Sequence, residues 1–430
     1  MRALSQRTVQ IALGVGVVGA ALGFLSGPGA GAGPAGTERA EAQAPRARAA
    51  RGRTFPGLDP RRHRAEDGVA VTDLADGSTA LLSIHPGLQA HVAALYARYE
   101  VPSGALVAID PRTGRVLAYV SHSLDPSAGD LVLDPGPPAA SVFKIVTGAA
   151  LVDAGVDPDA SVCYHGGSSR LAEHHLEDDP ARDRTCATLG EAMGGSINGV
   201  FAKLADRHIE APTLERYASA FGFGHALPFD VVTQVSPAEI PEERLEYART
   251  AAGFWHMHMS PLHAALIAAT VANGGRMPRP TLVDEVLDRS GHRSYRAAPS
   301  IFRSVIPAST ARALTRMMET TVTTGTARRH FFDDHRNPFL PGIAVAGKTG
   351  SLTASDPYRD YSWFVGFAPA DAPEIAVAAL VVNEPRWRIK GAFAAREALR
   401  YWLVTRPADE ARAAREAEAQ ASATAAPPRE

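Results

Sequence analysis

The chain has 430 residues, of which 45% are hydrophobic and 21% charged, and its formal net charge is −2. This composition is typical of a folded globular protein. The near-zero charge argues against a nucleic-acid-binding function, which usually requires a net basic surface. Only one apolar stretch, near the N-terminus, approaches the length of a membrane span, so a protein with several membrane spans is excluded.

The N-terminal residues have the pattern of an export signal. Arg2 and Arg7 precede an apolar run over residues 11–25, and small residues follow it. We expect residues 1–26 to be a signal anchor or a signal peptide. The weak excess of arginine before the run places the rest of the chain outside the cytoplasm. The protein would then be anchored to the cytoplasmic membrane or, if the signal is cleaved, soluble in the periplasm.

Two flanking segments lack the pattern of a packed core. Residues 27–67 are rich in Gly, Ala, Pro and Arg, which predicts a flexible linker. Residues 406–430 are rich in Ala, Glu and Arg without large apolar residues, which predicts a disordered tail or a frayed helix. The folded body is therefore expected over residues 68–405.

The body shows strand-like runs at both ends and helical patterns between them. A strand and a helix are expected over 81–99, a hairpin over 104–121, mostly helices over 141–273, strands at 343–351, 361–368 and 375–383, and a helix over 391–403. Strands at both ends with helices inserted between them predict an α+β fold, which consists of a sheet and a helical subdomain.

The lysines are few, and one of them follows a serine at helical spacing. Of the 44 basic residues only four are lysines: Lys144, Lys203, Lys348 and Lys390. Ser141 begins a helical pattern after two prolines, and Lys144 lies three residues on, on the same face. A desolvated neutral lysine can take the proton of a serine hydroxyl, and a helix N-terminus favours an oxyanion. The alternative is a capping serine followed by a surface lysine.

Two further polar groups complete a candidate site. Lys348, Thr349, Gly350 and Ser351 end a strand-like run, where a cation and two hydroxyls suit a substrate carboxylate and the glycine allows a ligand backbone to approach. The segment Ser196-Ile197-Asn198 lies between the two motifs. Its hydroxyl can relay a proton from the first lysine, and its amide can bind a substrate amide.

The only two cysteines, Cys163 and Cys186, are separated by 22 residues. In an exported chain they are expected to form a disulfide, which would stabilise the intervening loop by roughly 3 kcal/mol on the loop-entropy model. The alternative is a pair of buried thiols.

Histidines give no reason to expect a metal or another cofactor. On a strand, His256 and His258 would face away from Met257 and Met259, so the four side chains cannot converge on one ion. His174 and His175 lie in a polar loop and are interpreted as surface residues.

The three motifs, in this order, resemble those of penicillin-binding proteins and serine β-lactamases. The hairpin around Asp110–Gly114 and the segments Ser260-Pro261-Leu262, Gly325-Thr326-Ala327 and Trp363-Phe364-Val365-Gly366-Phe367 resemble further landmarks of the transpeptidase domain. The resemblance covers most of residues 80–403. It implies a mainly antiparallel sheet flanked by helices, with the active site between the sheet and an inserted helical subdomain.

By this resemblance each motif residue has an expected role. Ser141 would be the acylated nucleophile, Lys144 its base and Ser196 a proton relay. Asn198 would bind the donor peptide, Lys348 would supply positive charge, and Thr349 and Ser351 would bind the terminal carboxylate. The backbone N–H groups of Ser141 and Ser351 would form the oxyanion hole.

The chain departs from the family pattern in three places. Val142 is bulkier than the usual residue after the nucleophile, and Phe254-Trp255 follows Gly253 where Gly-x-Gly is common. The linker has no room for a glycosyltransferase domain or a large N-terminal pedestal.

The resemblance implies a D,D-transpeptidase that cross-links peptidoglycan. The expected partners are peptidoglycan peptide stems, β-lactams as inhibitors, the cytoplasmic membrane and cell-wall synthesis proteins, with no nucleic acid. Three alternatives stay open on the sequence alone. These are a D,D-carboxypeptidase or endopeptidase, a serine β-lactamase or β-lactam sensor, and a non-catalytic relative that binds peptidoglycan.

Overall fold

The computed structural model describes residues 53–168, 170–413 and 415. The predicted export signal and residues 27–52 of the predicted linker lie outside this range. Within it, no helix combines the length and hydropathy needed to cross a membrane.

The described helices are mostly short, and in chain order most of them fall between strands of one central sheet. They are α1 (Pro86–Arg98), α2 (Lys144–Asp153), α3 (Leu189–Gly195), α4 (Asn198–His208), α5 (Ala211–Phe221), α6 (Arg244–Ala251), α7 (Pro261–Ala272), α8 (Ala308–Thr323), α9 (Arg328–Phe331) and α10 (Gly391–Arg400).

The strands fall into two larger sheets and two hairpin-like pairs. They are β1 (Arg64–Glu66), β2 (Val69–Asp73), β3 (Thr79–Leu82), β4 (Ser103–Ile109), β5 (Val116–Ser123), β6 (Ser161–Tyr164), β7 (Thr185–Thr188), β8 (Arg276–Pro278), β9 (Val283–Leu287), β10 (Arg293–Arg296), β11 (Ile301–Ser304), β12 (Ala346–Ser355), β13 (Tyr358–Ala368) and β14 (Ile375–Asn383).

The central sheet has the order β12-β13-β14-β4-β5, and every neighbouring pair is antiparallel. Its inner strands are apolar on both faces because both faces are covered. Along β4, Ala105 and Val107 belong to one core and Leu106 and Ala108 to a second core on the opposite face. Helix α7 packs on one side, and α1 and α10 on the other. The predicted α+β fold is therefore confirmed.

The folded body begins earlier than the composition predicted. Phe55 and Leu58 are buried, and Phe55 donates its backbone N–H to the carbonyl of Asp230 while its ring packs against Tyr295 at 5.2 Å. Strand β1 then joins a second sheet of order β1-β2-β3-β9-β10. The predicted linker is thus wrong from residue 53 onward, because two apolar anchors suffice to dock an otherwise polar segment.

The C-terminal boundary also differs from the prediction. After α10 the chain forms a π-helical turn, Tyr401–Thr405, and residues 406–413 continue as an exposed helix. The Arg406 guanidinium lies over the ring of Trp402 at 4.1 Å. Of the two predicted alternatives, the exposed helix over residues 406–413 agrees with the frayed helix and not with disorder, whereas residues 416–430 lie outside the described range.

A helical subdomain faces the edge strand β12. It contains α2 to α6 and is joined to the C-terminal part of the chain through α8, which packs against α2, α3 and β12. The small pair β6–β7 belongs to this part, and a disulfide joins Cys163 and Cys186 directly across it. The subdomain and β12 together enclose the cleft described next.

Candidate active site

A cleft of about 330 Å³ lies between the edge strand β12 and the helical subdomain. Hydroxyl, amide and cationic side chains line most of it. The lining residues are Ser141, Ser196, Asn198, Thr326, Arg329, His330, Thr349, Ser351, Ser362, Trp363, Lys390 and Ala392. Residues of all three sequence motifs thus meet in one cleft, although together they span more than 200 positions of the chain.

Ser141 lies in a tight 3₁₀ turn, Ala140–Phe143, that leads directly into α2. The turn is held from both sides. Trp363 on β13 donates its Nε1–H to the carbonyl of Pro138 at 2.9 Å, and Ala140 adopts a left-handed backbone with φ of 49°. Gly253 lies so close that a Cβ there would be 2.6 Å from the Ala140 carbonyl. These contacts fix the backbone of the turn that carries Ser141.

Lys144 is fully buried, and its Nζ has three oxygen neighbours. Nζ lies 3.0 Å from Ser141 Oγ, 2.7 Å from Asn198 Oδ1 and 2.5 Å from the carbonyl of Ala252. Two of these neighbours are carbonyl oxygens, which only accept hydrogen bonds. A neutral amine that donates to both therefore directs its lone pair toward the serine hydroxyl.

Burial favours this neutral amine. Desolvation, assisted by the positive charge of Lys348, lowers the pKa of Lys144 well below its usual value of 10.5. No carboxylate is within hydrogen-bonding distance of Nζ in the described part of the chain. The arrangement is that of a base poised to take a proton from Ser141.

Asn198 and Ser196 take different positions in the cleft. Asn198, the first residue of α4, accepts from Lys144 and donates its Nδ2 to the carbonyl of Ser168 at 2.5 Å. It therefore orients the lysine, which the sequence reasoning had not anticipated. Ser196 ends α3 in a left-handed conformation, with φ of 56°. Its hydroxyl lines the cleft but has no hydrogen-bond partner among the described residues, so its predicted relay role stays a prediction.

Strand β12 presents two chemically different faces. Lys348 and Gly350 share the buried face, and a Cβ on Gly350 would lie 3.0 Å from Val142 Cγ2. The glycine thus admits the turn that bears the nucleophile, whereas the sequence reasoning assigned it to the approach of a ligand. Thr349 and Ser351 alternate onto the other face and line the cleft.

Lys348 is as buried as Lys144 and donates to the carbonyl of Thr349 at 2.9 Å. Burial lowers its pKa from 10.5 to about 7. Thr349 Oγ1 lies 2.5 Å from Thr326 Oγ1, and Thr326 also donates its backbone N–H to the carbonyl of Gly194. This chain of contacts connects β12, the segment that follows α8, and α3.

One wall of the cleft is cationic, and sequence reasoning did not assign it to the site. Arg329 and His330 belong to α9, and Lys390 lies over the ring of Trp387 at 4.7 Å. Burial lowers the pKa of His330 to about 4, so this ring is neutral at pH 7. Two features of the sequence could have indicated this wall. Arg329 lies three residues after Thr326, which belongs to one of the landmark segments, and Lys390 is one of only four lysines.

The remaining candidates lie outside the cleft. Met257 and Met259 are buried, whereas His256 and His258 are half-buried, as the alternation predicted. His258 contacts the carbonyl of Gly136 at 2.6 Å. Lys203 is fully buried and paired with Asp183 at 2.8 Å.

Comparison with known protein families gives one match that covers most of the chain. Residues 104–400 match the model described as the penicillin-binding protein transpeptidase domain. The match includes every motif residue assembled in the cleft.

Individual relatives are distant but extensive. The chain is 28% identical over 326 residues to the peptidoglycan D,D-transpeptidase PbpA of Mycobacterium tuberculosis. The aligned region covers 66% of this chain and 63% of PbpA. It is also 28% identical over 319 residues to the stage V sporulation protein D of Bacillus subtilis, covering 67% of this chain and 46% of that protein. The chain thus spans less than two thirds of the length of these relatives.

Solved structures agree with the sequence matches. The penicillin G acyl-enzyme complex of penicillin-binding protein A from M. tuberculosis is similar with a TM-score of 0.63 and 25% identity, covering 76% of this chain and 81% of that one. The D,D-transpeptidase domain of a peptidoglycan glycosyltransferase from Eggerthella lenta gives a TM-score of 0.64 and 26% identity, covering 77% and 84%.

Proposed function

The chain belongs to the penicillin-binding protein transpeptidase family, and on that premise we propose that it is a D,D-transpeptidase that cross-links peptidoglycan. Ser141 is acylated by a peptide stem ending in D-Ala-D-Ala, and the acyl group then passes to an amine. The observation that carries this proposal is the position of the buried Lys144, whose Nζ lies 3.0 Å from Ser141 Oγ while two carbonyl oxygens accept its protons.

The first step uses this pair. Lys144 takes the hydroxyl proton as Ser141 Oγ bonds to the carbonyl carbon of the penultimate D-Ala. The peptide bond to the terminal D-Ala breaks, and the departing amine leaves with a proton. Positioned general-base action contributes about 10²–10⁴-fold in rate. The buried lysine is suited to this step because its lowered pKa increases the share of the neutral form.

Stabilisation of the oxyanion falls to backbone donors. We assign this role to the N–H groups of Ser141, at the start of a helical turn, and of Ser351 on the edge strand β12. One such donor is worth about 10²–10³-fold in rate. An unpaired strand edge beside the nucleophile also suits an extended peptide, which can add to the sheet as a further strand.

The charge of the cleft suits the donor's terminal carboxylate. Thr349 and Ser351 offer hydroxyl donors, and Arg329 and Lys390 line the cleft with positive charge. The buried Lys348 adds to this charge only in its protonated form. Among the described residues that line the cleft, none is acidic. A carboxylate-bearing donor therefore meets no repulsion from the lining side chains.

The same lining favours transfer over hydrolysis. A β-lactamase needs a base that activates water against the acyl-enzyme, and no Asp or Glu is among the described lining residues. We therefore expect β-lactams to inhibit this protein as long-lived acyl adducts. Its proposed location is outside the cytoplasm, anchored through the N-terminal segment, where it would act with other cell-wall synthesis proteins.

Exchange of the terminal residue tests the proposal. The full chain is incubated with a stem pentapeptide ending in D-Ala-D-Ala and with ¹³C-labelled D-alanine as the acceptor amine. We expect label in the peptide C-terminus, detected by mass spectrometry, and no label with Ser141→Ala. Release of D-alanine without exchange would indicate a carboxypeptidase instead, and equal exchange by Ser141→Ala would overturn the assignment of the nucleophile.

A further inference from the structure

Three histidines converge in the helical subdomain, outside the catalytic cleft. His165 follows strand β6, and His174 and His175 belong to a short 3₁₀ turn, Glu173–His175. One ring nitrogen of each lies within 4.8 Å of those of the other two. The rings of His174 and His175 are 4.1 Å apart, and His165 lies 5.5–5.9 Å from both. The sequence reasoning interpreted His174 and His175 as surface residues, expected no metal there and did not consider His165.

His165 is held in the orientation of a metal ligand. Its Nδ1 lies 2.5 Å from Asp183 Oδ1, so the ring donates its Nδ1–H to the carboxylate and keeps a lone pair on Nε2. That Nε2 is buried and has no hydrogen-bond partner among the described residues. An unpartnered buried acceptor is costly. A histidine fixed by a carboxylate on one nitrogen and open on the other is the usual arrangement at metal centres.

The carboxylate is itself anchored. Asp183 Oδ2 accepts from the buried Lys203 at 2.8 Å and from the backbone N–H of Asp179 at 3.0 Å. The disulfide between Cys163 and Cys186 holds the strands from which His165 and Asp183 extend. Both sulfurs are consumed in that bond, which leaves imidazole nitrogens as the donors of this cluster.

We propose that His165, His174 and His175 bind a divalent transition-metal ion of the zinc class, with Asp183 orienting His165. Imidazole nitrogens suit Zn²⁺, Cu²⁺ and Ni²⁺ better than Ca²⁺ or Mg²⁺, which prefer oxygen ligands. Three histidines occupy three positions of a tetrahedral ion and leave the fourth for water. His174 is exposed, so an ion can enter from solvent.

His175 sets the strength of the site. Its Nδ1 accepts the backbone N–H of Ala172 at 3.0 Å, so in the absence of metal its Nε2 carries the proton. Binding an ion through this ring exchanges that hydrogen bond for the metal bond. We therefore expect weaker binding than at closed four-ligand structural sites, and a smaller loss from removing His175 than from removing His165.

The site adjoins the segment that supports the catalytic cleft. Ser168, three residues after His165, accepts the amide of Asn198, and the carbonyl of Gly166 faces Gly199 at the start of α4. An ion shared by the three histidines would tie this segment, at His165, to the turn Glu173–His175. Metal binding should therefore raise thermal stability as well as give a spectroscopic signal.

Cobalt titration tests the proposal. The full chain, without a histidine tag, is stripped with chelator and titrated with Co²⁺ under non-reducing conditions. We expect one equivalent of Co²⁺ to produce the visible absorption of a tetrahedral ion, and we expect this absorption to disappear when Zn²⁺ displaces the Co²⁺. Zn²⁺ should also raise the melting temperature. His165→Gln and, separately, the exposed His174→Gln should each weaken binding by about tenfold or more.

His335→Gln is the matched control, because this exposed histidine lies far from the cluster in sequence and should leave binding unchanged. His174→Gln changes a solvent-exposed side chain, so its loss of binding cannot be ascribed to misfolding. Circular dichroism melts of each metal-free variant check this directly. Absence of a one-equivalent cobalt spectrum in the native chain, or equal binding by His174→Gln and His335→Gln, would overturn the proposal. Either result leaves the acyl-transfer function unaffected.

Discussion

Replacing Lys348 with methionine should stabilise the protein while impairing its function. The ammonium of Lys348 is fully buried, donates only to the carbonyl of Thr349, and has no carboxylate partner in the described part of the chain. Burial lowers its pKa from 10.5 to about 7. Methionine has a similar volume and needs no solvation, so it removes the cost of burying the amine.

The magnitude follows from the pKa. One pKa unit corresponds to about 1.4 kcal/mol, so the fall from 10.5 to about 7 costs about 5 kcal/mol of unfolding free energy where both states are fully protonated. At pH 7 about half of the folded molecules have lost this proton, which reduces the cost to roughly 4 kcal/mol. Losing the hydrogen bond to the Thr349 carbonyl offsets about 1 kcal/mol. We therefore expect Lys348→Met to raise the unfolding free energy by about 3 kcal/mol at pH 7.

The pH dependence identifies the cause. Between pH 7 and 10.5 the unfolded state holds the Lys348 proton and the folded state does not, so this group makes the native chain more stable as pH rises. The advantage of Lys348→Met should therefore be largest at and below pH 7 and shrink toward pH 10. Urea unfolding of both proteins at several pH values measures the difference in their unfolding free energies. Other groups titrate in the same way in both proteins, so their contributions cancel in this difference.

Lys390→Met is the matched control. Lys390 lies at the edge of the cleft over Trp387 and is only partly buried. Its replacement should change the unfolding free energy by no more than about 1 kcal/mol, the size of a partly exposed cation–π contact. If Lys348→Met is no more stable than the native chain at pH 7, or if its advantage does not change with pH, the argument from desolvation is refuted.

Three further results are expected. Gly253→Ala should lose about 1–3 kcal/mol of stability and acylate more slowly, because φ is 78° and the new Cβ would lie 2.6 Å from the Ala140 carbonyl; a native rate of penicillin acylation would contradict this. The double variant Cys163→Ser with Cys186→Ser should lose about 3 kcal/mol, measured by urea unfolding, and a loss near zero would be inconsistent with a loop-restraining disulfide. The acylation rate should rise with pH and level off well below pH 10.5, since burial lowers the pKa of Lys144; a rate still rising at pH 10.5 would exclude a desolvated base.

Local spacing explains why part of the site was predictable. Ser141 lies in the 3₁₀ turn that leads into α2 and Lys144 is the first residue of α2, so their contact depends on local helical geometry. The hairpin of β4 and β5 follows similarly from a tight turn between two apolar runs. The site and the fold could therefore be predicted from the sequence where residues close together in the chain also contact each other in the structure.

Contacts between distant segments were not readable from local pattern. Thr326 meets Thr349 at 2.5 Å across 23 residues, and Asn198 contacts Lys144 across 54. Each of these positions carries an ordinary polar residue, and only the packing of α3, α4 and α8 against β12 brings them together. The role of Gly350 was misjudged for the same reason, since its neighbour Val142 lies on another element.

The predicted start of the folded body was wrong because the prediction relied on the overall composition of a segment and overlooked single apolar residues within it. The segment before Gly68 is dominated by Arg, Pro and Gly, which predicts a linker, yet Phe55 and Leu58 anchor it to the core. A few large apolar side chains in a polar segment decide docking when a complementary surface exists, here near Tyr295 and Asp230. That surface is formed by residues far along the chain.

The most direct test of acyl transfer through Ser141 is the intact mass of the full chain during exposure to benzylpenicillin. We predict a single covalent adduct that persists for hours, maps to Ser141 and is missing from Ser141→Ala, with both proteins folded by circular dichroism. A folded native chain that forms no adduct, or one that forms and clears it within seconds, would contradict the proposed transpeptidase.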